Sequence, residues 1–209
     1  MAELNISYWV NETKVLGPYT RSALWVHGCC FDCPGCIAHE MNRAKSRIVT
    51  AEYLAEQLIK VEGTEGITIS GGEPFLQAEG LVEMIKLIRE KREDYGVIIY
   101  TGFLLEELKD KKDPAIDALI KAADIIIDGK YGKELDDGKP YRGSSNQRIL
   151  LISDRYRSCA DEYYSTDKRN VEIKVTEKNI YLVGVPSEYG LNTWRELKRK
   201  AEVSGDYEL

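Results

Sequence analysis

The chain has no apolar stretch approaching the length of a membrane span. Its first residues, Met-Ala-Glu-Leu-Asn-Ile-Ser, show no basic start leading into an apolar run. Neither a membrane protein nor a secretory leader is therefore expected. Basic charge is not in excess: 29 Lys and Arg against 35 Asp and Glu leave a net charge of −6, which argues against a nucleic-acid-binding surface. Histidine is scarce, and His27 and His39 are each read as packed or hydrogen-bonded rather than as metal ligands. Internal repeats and low-complexity segments are also missing. The five cysteines are not spread along the chain as a disulfide framework would need; clustered free thiols fit a reducing cytoplasm. What remains is 209 residues, 43% hydrophobic and 31% charged, enough for one globular core with an appendage.

Four of those cysteines fall within Cys29-Cys30-Phe31-Asp32-Cys33-Pro34-Gly35-Cys36, directly after the apolar run Ala23-Leu24-Trp25-Val26. Thiolates packed this densely share a metal centre, because one loop can wrap it. A closed tetrahedral zinc site takes a pair of thiols from each of two turns, and only Cys159, read as a spare thiol, is left for a second turn. A bacterial ferredoxin run from Cys30 would need a fourth cysteine where Glu40 stands. The remaining pattern is C-x3-C-x2-C, from Cys29, Cys33 and Cys36, which holds three irons of a [4Fe–4S] cube and leaves the fourth open.

The rest of the chain alternates strands and helices. Leu4 to Leu16 reads as a hairpin around Asn11-Glu12, and Ser22 to Val26 as the first buried strand. Thr50 caps a helix with Leu54, Leu58 and Val61 on one face. Strands then follow at Gly66–Ser70, Gly96–Tyr100, Asp124–Ile127 and Arg148–Ile152, with helices marked by Leu81, Met84, Ile85 and Ile88 and by Asp113-Pro114 ahead of Ile116, Leu119 and Ile120. This order predicts an α/β fold, an open parallel sheet or partial (βα) barrel, over residues 1–152. In such folds the site lies at the carboxyl ends of the strands. Those ends carry the unusual residues: the thiols, Ser70-Gly71-Gly72-Glu73-Pro74, Tyr100-Thr101-Gly102 and Asp128-Gly129-Lys130. Residues 153–209 read as a C-terminal extension packed on the core. It comprises a polar surface loop from Ser153 to Asn170, a hairpin of Glu172–Val175 and Tyr181–Val185 around Glu177-Lys178-Asn179, and a last helix from about Asn192 to Glu202.

Cys29-x3-Cys33-Pro34-Gly35-Cys36 after an apolar strand resembles the radical S-adenosylmethionine (SAM) superfamily. Its Cys-Pro-Gly-Cys form resembles the activating proteins of anaerobic ribonucleotide reductase. Tyr141-Arg142-Gly143-Ser144-Ser145-Asn146-Gln147-Arg148 is similar to the Arg-Gly-Ser-Ser-Asn-Gln-Arg segment of the same activases, the most family-specific match in the chain. The resemblance runs from about Gly17 to Ile152. It implies Cys29, Cys33 and Cys36 as cluster ligands, with Cys30 a neighbour in the loop. It implies that Ser70, Gly71, Gly72 and Glu73 hold the methionyl ammonium of SAM, and that Thr101 makes a polar contact to it. Asp128 and Lys130 are then expected near its ribose and carboxylate, and Asn146 and Arg148 to reach SAM or order the site. A positive amine needs acceptors and a carboxylate needs a charge-assisted donor, so these residue types suit those tasks. Two departures stand out: the chain continues well past the Ser-Ser-Asn-Gln segment, and Ile37-Ala38-His39 replaces the activases' Tyr-Asn.

The resemblance implies a cytoplasmic enzyme that uses a [4Fe–4S] cluster to cleave SAM. The expected target is a backbone glycine of a glycyl radical enzyme such as anaerobic ribonucleotide reductase, with a flavodoxin- or ferredoxin-type electron donor. The chemistry needs no side chain as acid, base or nucleophile beyond the cluster ligands. A stand-alone radical SAM enzyme acting on a peptide or small molecule is the alternative, favoured by the extension. A non-catalytic iron–sulfur or zinc module is the third, and the Gly-Gly-Glu and Asp-x-Lys strand ends argue against it.

Overall fold

The computed structural model describes residues 2–39, 46–167, 169–175 and 180–204. The first strand, β1, runs through Glu3–Thr13 without the expected turn at Asn11-Glu12. Both of its edges are paired, antiparallel to β2 (Arg21–Val26) and to β3 (Arg47–Thr50), and register shifts absorb the polar residues that looked like a turn. The chain reverses only beyond Thr13, where Gly17 adopts φ +142°.

Helix α1 (Ala51–Ile59) starts where expected, with the Thr50 hydroxyl accepting a hydrogen bond from the Tyr53 amide. It leads to β4 (Gly66–Gly71), α2 (Ala78–Arg89) and β5 (Gly96–Tyr100). Next come α3 (Leu105–Asp110), α4 (Pro114–Ala122), β6 (Ile125–Asp128) and β7 (Arg148–Leu151). These strands form one sheet in the order β3-β1-β2-β4-β5-β6-β7. Its centre, β2-β4-β5-β6, is parallel as the alternation predicts. The last strand is not: β7 pairs antiparallel to β6, because a loop rather than a crossover helix joins them.

The central strands are buried on both faces. Leu24, Ile67, Ile69, Val97, Ile99 and Ile126 form one core with the apolar stripes of α1, α2 and α4. The other face presents Ala23, Trp25, Ile98, Ile125 and Ile127, and it is covered by Leu16 and Val15 of the β1–β2 loop and by residues from beyond residue 152. Tyr156 and Cys159 are buried against Ile98, Ile125 and Ile127, with Tyr163 and Tyr164 of α5 (Ala160–Tyr164) packed beside them. The stretch read as a polar surface loop is therefore partly core, because a tyrosine buries an apolar ring while its hydroxyl finds a polar partner. β8 (Val171–Val175) and β9 (Ile180–Gly184) form the expected hairpin, whose Val183 and Tyr181 pack on Val10, Trp25 and Tyr8. The turn expected at Glu177-Lys178-Asn179 lies outside the described residues, as does Glu40. Helix α6 (Glu188–Ser204) begins four residues earlier than its apolar spacing predicts. Among the described residues no helix is long and apolar enough to cross a membrane.

Candidate active site

The carboxyl ends of β2, β4, β5 and β6 meet at a cleft of about 180 Å³. Cys29, Cys33, Cys36, Ser70, Gly71, Gly72, Glu73 and Thr101 line it together. Cys30 is exposed and outside the lining, although it is adjacent in sequence. The cysteine loop is shaped by its own backbone. The Cys36 amide donates to the Cys33 carbonyl (3.1 Å), the His39 amide to the Cys36 carbonyl (3.2 Å) and the Phe31 amide to Cys29 Sγ (3.4 Å). Gly35 sits at φ +77°, a left-handed conformation that glycine adopts without strain. His27 and His39 are engaged as expected, His27 Nδ1 with Ser7 Oγ and His39 Nε2 with the Asp32 carboxylate.

Neighbouring loops are stitched to one another. The Gly72 amide donates to the Val26 carbonyl (2.7 Å) and the Glu73 amide to the Gly28 carbonyl (2.8 Å). A Cβ on Gly71 would stand 2.4 Å from the Val26 oxygen, and one on Gly72 2.0 Å from the Gly28 oxygen. The close approach these glycines permit is thus to the cysteine loop itself. Glu73 is 1% exposed. Its Oε1 accepts from the Phe75 amide (3.0 Å) and the Thr101 hydroxyl (2.8 Å), and its Oε2 from the Gly102 amide (2.8 Å). Burial raises its pKa, and those three donors pull it back. At Gly102 a Cβ would meet the Phe31 ring at 2.5 Å, so the cysteine loop lies flat on the end of β5. Phe31 also contacts Phe103 edge-on at 4.7 Å and carries the Lys130 ammonium 4.9 Å above its ring.

The other four expected residues, Asp128, Lys130, Asn146 and Arg148, are not in the cleft's lining. Asp128 is fully buried and accepts from the Leu105 amide, capping α3, and from both Nε and an Nη of Arg148, its cross-strand partner on β7. Arg148 reaches on to Glu106, whose pKa that contact lowers. Asn146 Nδ2 donates to the Lys130 carbonyl at 2.8 Å. These residues fix the loop after β6, which contributes Gly129 and Tyr131 to the cleft.

Sequence reasoning missed Gln147, which lines the cleft. Its Oε1 accepts from the Gly143 amide (2.8 Å) and its Nε2 donates to the Gly129 carbonyl (2.9 Å). Its place inside the Ser-Ser-Asn-Gln segment was the available signal. Trp25, Phe31, Tyr100 and Tyr131 add aromatic walls, and Arg169, Gly184, Val185 and Pro186 close a side from the extension. Nothing local in the sequence marks those last four.

Among the described residues no three His, Cys, Asp or Glu side chains converge on a point where one ion would sit. A tetrahedral zinc would hold its sulfurs about 3.8 Å apart, given its Zn–S distance. An iron–sulfur cube takes each thiolate on a different iron and so spaces them more widely. Thiolate is the donor type that an iron–sulfur cluster takes, and Cys29, Cys33 and Cys36 line the same cleft. Burial raises the Cys29 and Cys36 pKa values, and the Glu73 charge adds to the effect at Cys29.

The family described as "4Fe-4S single cluster domain" matches residues 15–150. The anaerobic ribonucleoside-triphosphate reductase-activating protein of enterobacteria phage T4 is 31% identical over 146 residues, covering 67% of this chain and 89% of that protein. The Escherichia coli protein of the same name is 32% identical over 144 residues, covering 65% and 90%. The Haemophilus influenzae protein is 31% identical over 154 residues, covering 70% and 97%. The chain therefore belongs to the single-cluster 4Fe-4S, radical SAM family that includes the anaerobic ribonucleoside-triphosphate reductase-activating proteins.

Proposed function

We propose that this chain is a radical SAM activating enzyme that installs a glycyl radical on a partner such as anaerobic ribonucleotide reductase. The observation that carries it is the meeting of Cys29, Cys33 and Cys36 with the Gly-Gly-Glu loop in one cleft from which Cys30 is absent. When bound and reduced, a [4Fe–4S] cluster supplies one electron to the sulfonium of SAM, giving methionine and a 5′-deoxyadenosyl radical able to take a hydrogen atom from a glycine Cα.

The chain's own residues bind, orient and exclude. Cys29, Cys33 and Cys36 would hold the cluster through their thiolates. Ser70, Gly71 and Gly72 offer backbone carbonyls to the methionyl ammonium, and Glu73 adds its negative charge beside them. Thr101 holds Glu73 in place. Lys130 supplies a cation at the rim for the carboxylate of SAM, while Asp128, Arg148 and Asn146 set the position of its loop. The aromatic walls keep water from the reacting carbon, and the hard chemistry is the cofactor's. A cytoplasmic setting and a flavodoxin- or ferredoxin-type donor complete the proposal.

The test is anaerobic reconstitution. The protein is expected to take up about four irons per chain and, once reduced, to convert SAM to 5′-deoxyadenosine. Mixed with an anaerobic ribonucleotide reductase, it is expected to generate a glycyl radical doublet in the electron paramagnetic resonance spectrum. Iron uptake without SAM cleavage would refute the enzyme. SAM cleavage with no glycyl radical on any such partner would favour the second reading, a stand-alone enzyme, which the extension's share of the cleft wall supports.

A further inference from the structure

The family match ends at residue 150, yet part of the cleft is built from residues 169–186. The relatives' matched stretches take up 89% to 97% of their own lengths and only 65% to 70% of this chain. That side of the cleft is therefore an addition, and its attachment is specific. Arg169, only 7% exposed at its side chain, forks onto both carboxylate oxygens of Asp136 at 2.8 and 3.0 Å. The same guanidinium donates to the carbonyls of Lys139 (2.9 Å) and Arg142 (3.1 Å) in the β6–β7 loop, and to that of Pro186 (3.2 Å) after β9. Its donors are used within the protein, so it is not a ligand-binding cation. It joins the loop that carries Gly129 and Tyr131 to the segment that carries Val185 and Pro186, and residues of both line the cleft. Lys133 continues the ring: its side chain lies 3.3 Å from a Cβ built on Gly35 in the cysteine loop, and its ammonium is 3.7 Å from Glu188 at the start of α6.

We propose that Arg169 is a positioning residue that clamps the C-terminal extension as a fixed wall of the cleft, shielding the cluster and shaping the SAM pocket in cis. This rests on the radical SAM reading for its SAM arm only. A rigid fork held by several carbonyls and one carboxylate is a task that lysine, with a single ammonium, performs poorly.

The experiment compares reconstituted full-length protein with Arg169→Met, Arg169→Lys and Asp136→Asn. It measures the rate at which an iron chelator strips the cluster, and KM and kcat for 5′-deoxyadenosine formation. Displacing a wall by about 1 Å can cost up to about a hundredfold; the expected result for Arg169→Met is about tenfold faster iron loss and about tenfold higher KM for SAM, with kcat within about twofold. Arg169→Lys and Asp136→Asn are expected to fall between it and the wild type. Arg157→Ala, which breaks an exposed ion pair with Asp154, is the control expected to change neither. Wild-type stripping rate and KM in Arg169→Met would overturn the proposal. So would loss of partner activation alone, which would make the segment a docking surface. If the wild type holds iron but does not cleave SAM, the radical SAM reading fails while the chelator arm still judges the wall. Should Arg169→Met not fold, Asp136→Asn, which keeps the guanidinium and its carbonyl contacts, decides.

Discussion

The two ends of the central sheet both bring charged or ionisable groups close together, and they treat them in opposite ways. At the amino ends, Arg21 is fully buried and completely partnered. Its Nε donates to Thr68 Oγ1 (2.8 Å), and its terminal nitrogens to the Pro18 and Ile67 carbonyls, the Tyr156 hydroxyl and the Glu65 carboxylate (3.1 Å). The backbone is thinned to admit this network: a Cβ on Gly96 would stand 2.0 Å from the Tyr156 hydroxyl oxygen. At the carboxyl ends the carboxylates are satisfied by loop amides, but three thiols face a cleft. Satisfied polar groups hold a structure together, whereas soft donors gathered around an open space are suited to bind something. The lower end is built for stability and the upper end for a ligand.

The comparison breaks if mutations at the two ends have interchangeable effects. The largest contrast expected is between Cys33→Ala and Arg21→Met. Cys33→Ala is expected to abolish cluster and SAM cleavage while leaving the thermal midpoint of the metal-free protein nearly unchanged. Arg21→Met is expected to lower stability by about 3–5 kcal/mol in denaturant titration, as breaking a buried pair does. Next come the glycines: Gly102→Ala forces the Phe31 ring aside and Gly96→Ala the Tyr156 hydroxyl, each at a cost of about 1–3 kcal/mol. Only Gly102→Ala is expected to lower iron content as well.

Glu73→Gln sharpens the comparison through pH. The folded-state pKa of Glu73 is raised, so the folded protein holds the proton more tightly than the unfolded chain. Its contribution is then fully present below the ordinary carboxylate range and is lost as pH rises through the raised value. The substitution is expected to flatten that decline and, by setting an amide donor against one of the three donors now bound, to cost about 1–3 kcal/mol at neutral pH. The smallest effect belongs to Glu106→Gln, whose exposed pair with Arg148 is lost only as pH falls, since that contact depresses the glutamate's pKa. Midpoints at neutral pH in low and high salt are expected to differ little from wild type.

The parallel core was legible because short continuous apolar runs and helix stripes are local signals, and each predicted strand end lies within about one residue of its place. The cysteine loop and Gly-Gly-Glu were legible because their chemistry is written in contiguous residues. Less could be read where partners are distant in sequence. Asp128 and Arg148 were expected beside SAM or ordering its site, but pairing of β6 with β7 joins them to each other in a salt bridge, with Asp128 buried and Arg148 exposed. Tyr156 sits in a polar stretch whose hydropathy hides the ring that fills the sheet's second face. Arg169 finds Asp136 more than thirty positions upstream, a contact no spacing rule anticipates.

The most direct test of the contrast is the iron content and SAM cleavage of Cys29→Ala and Cys30→Ala, reconstituted side by side. These neighbours differ in that Cys29 lines the cleft and Cys30 does not. The expected result is that Cys30→Ala retains about four irons per chain and forms 5′-deoxyadenosine, while Cys29→Ala does neither. The reverse pattern, or full activity in both, would contradict the placement of the cluster in this cleft.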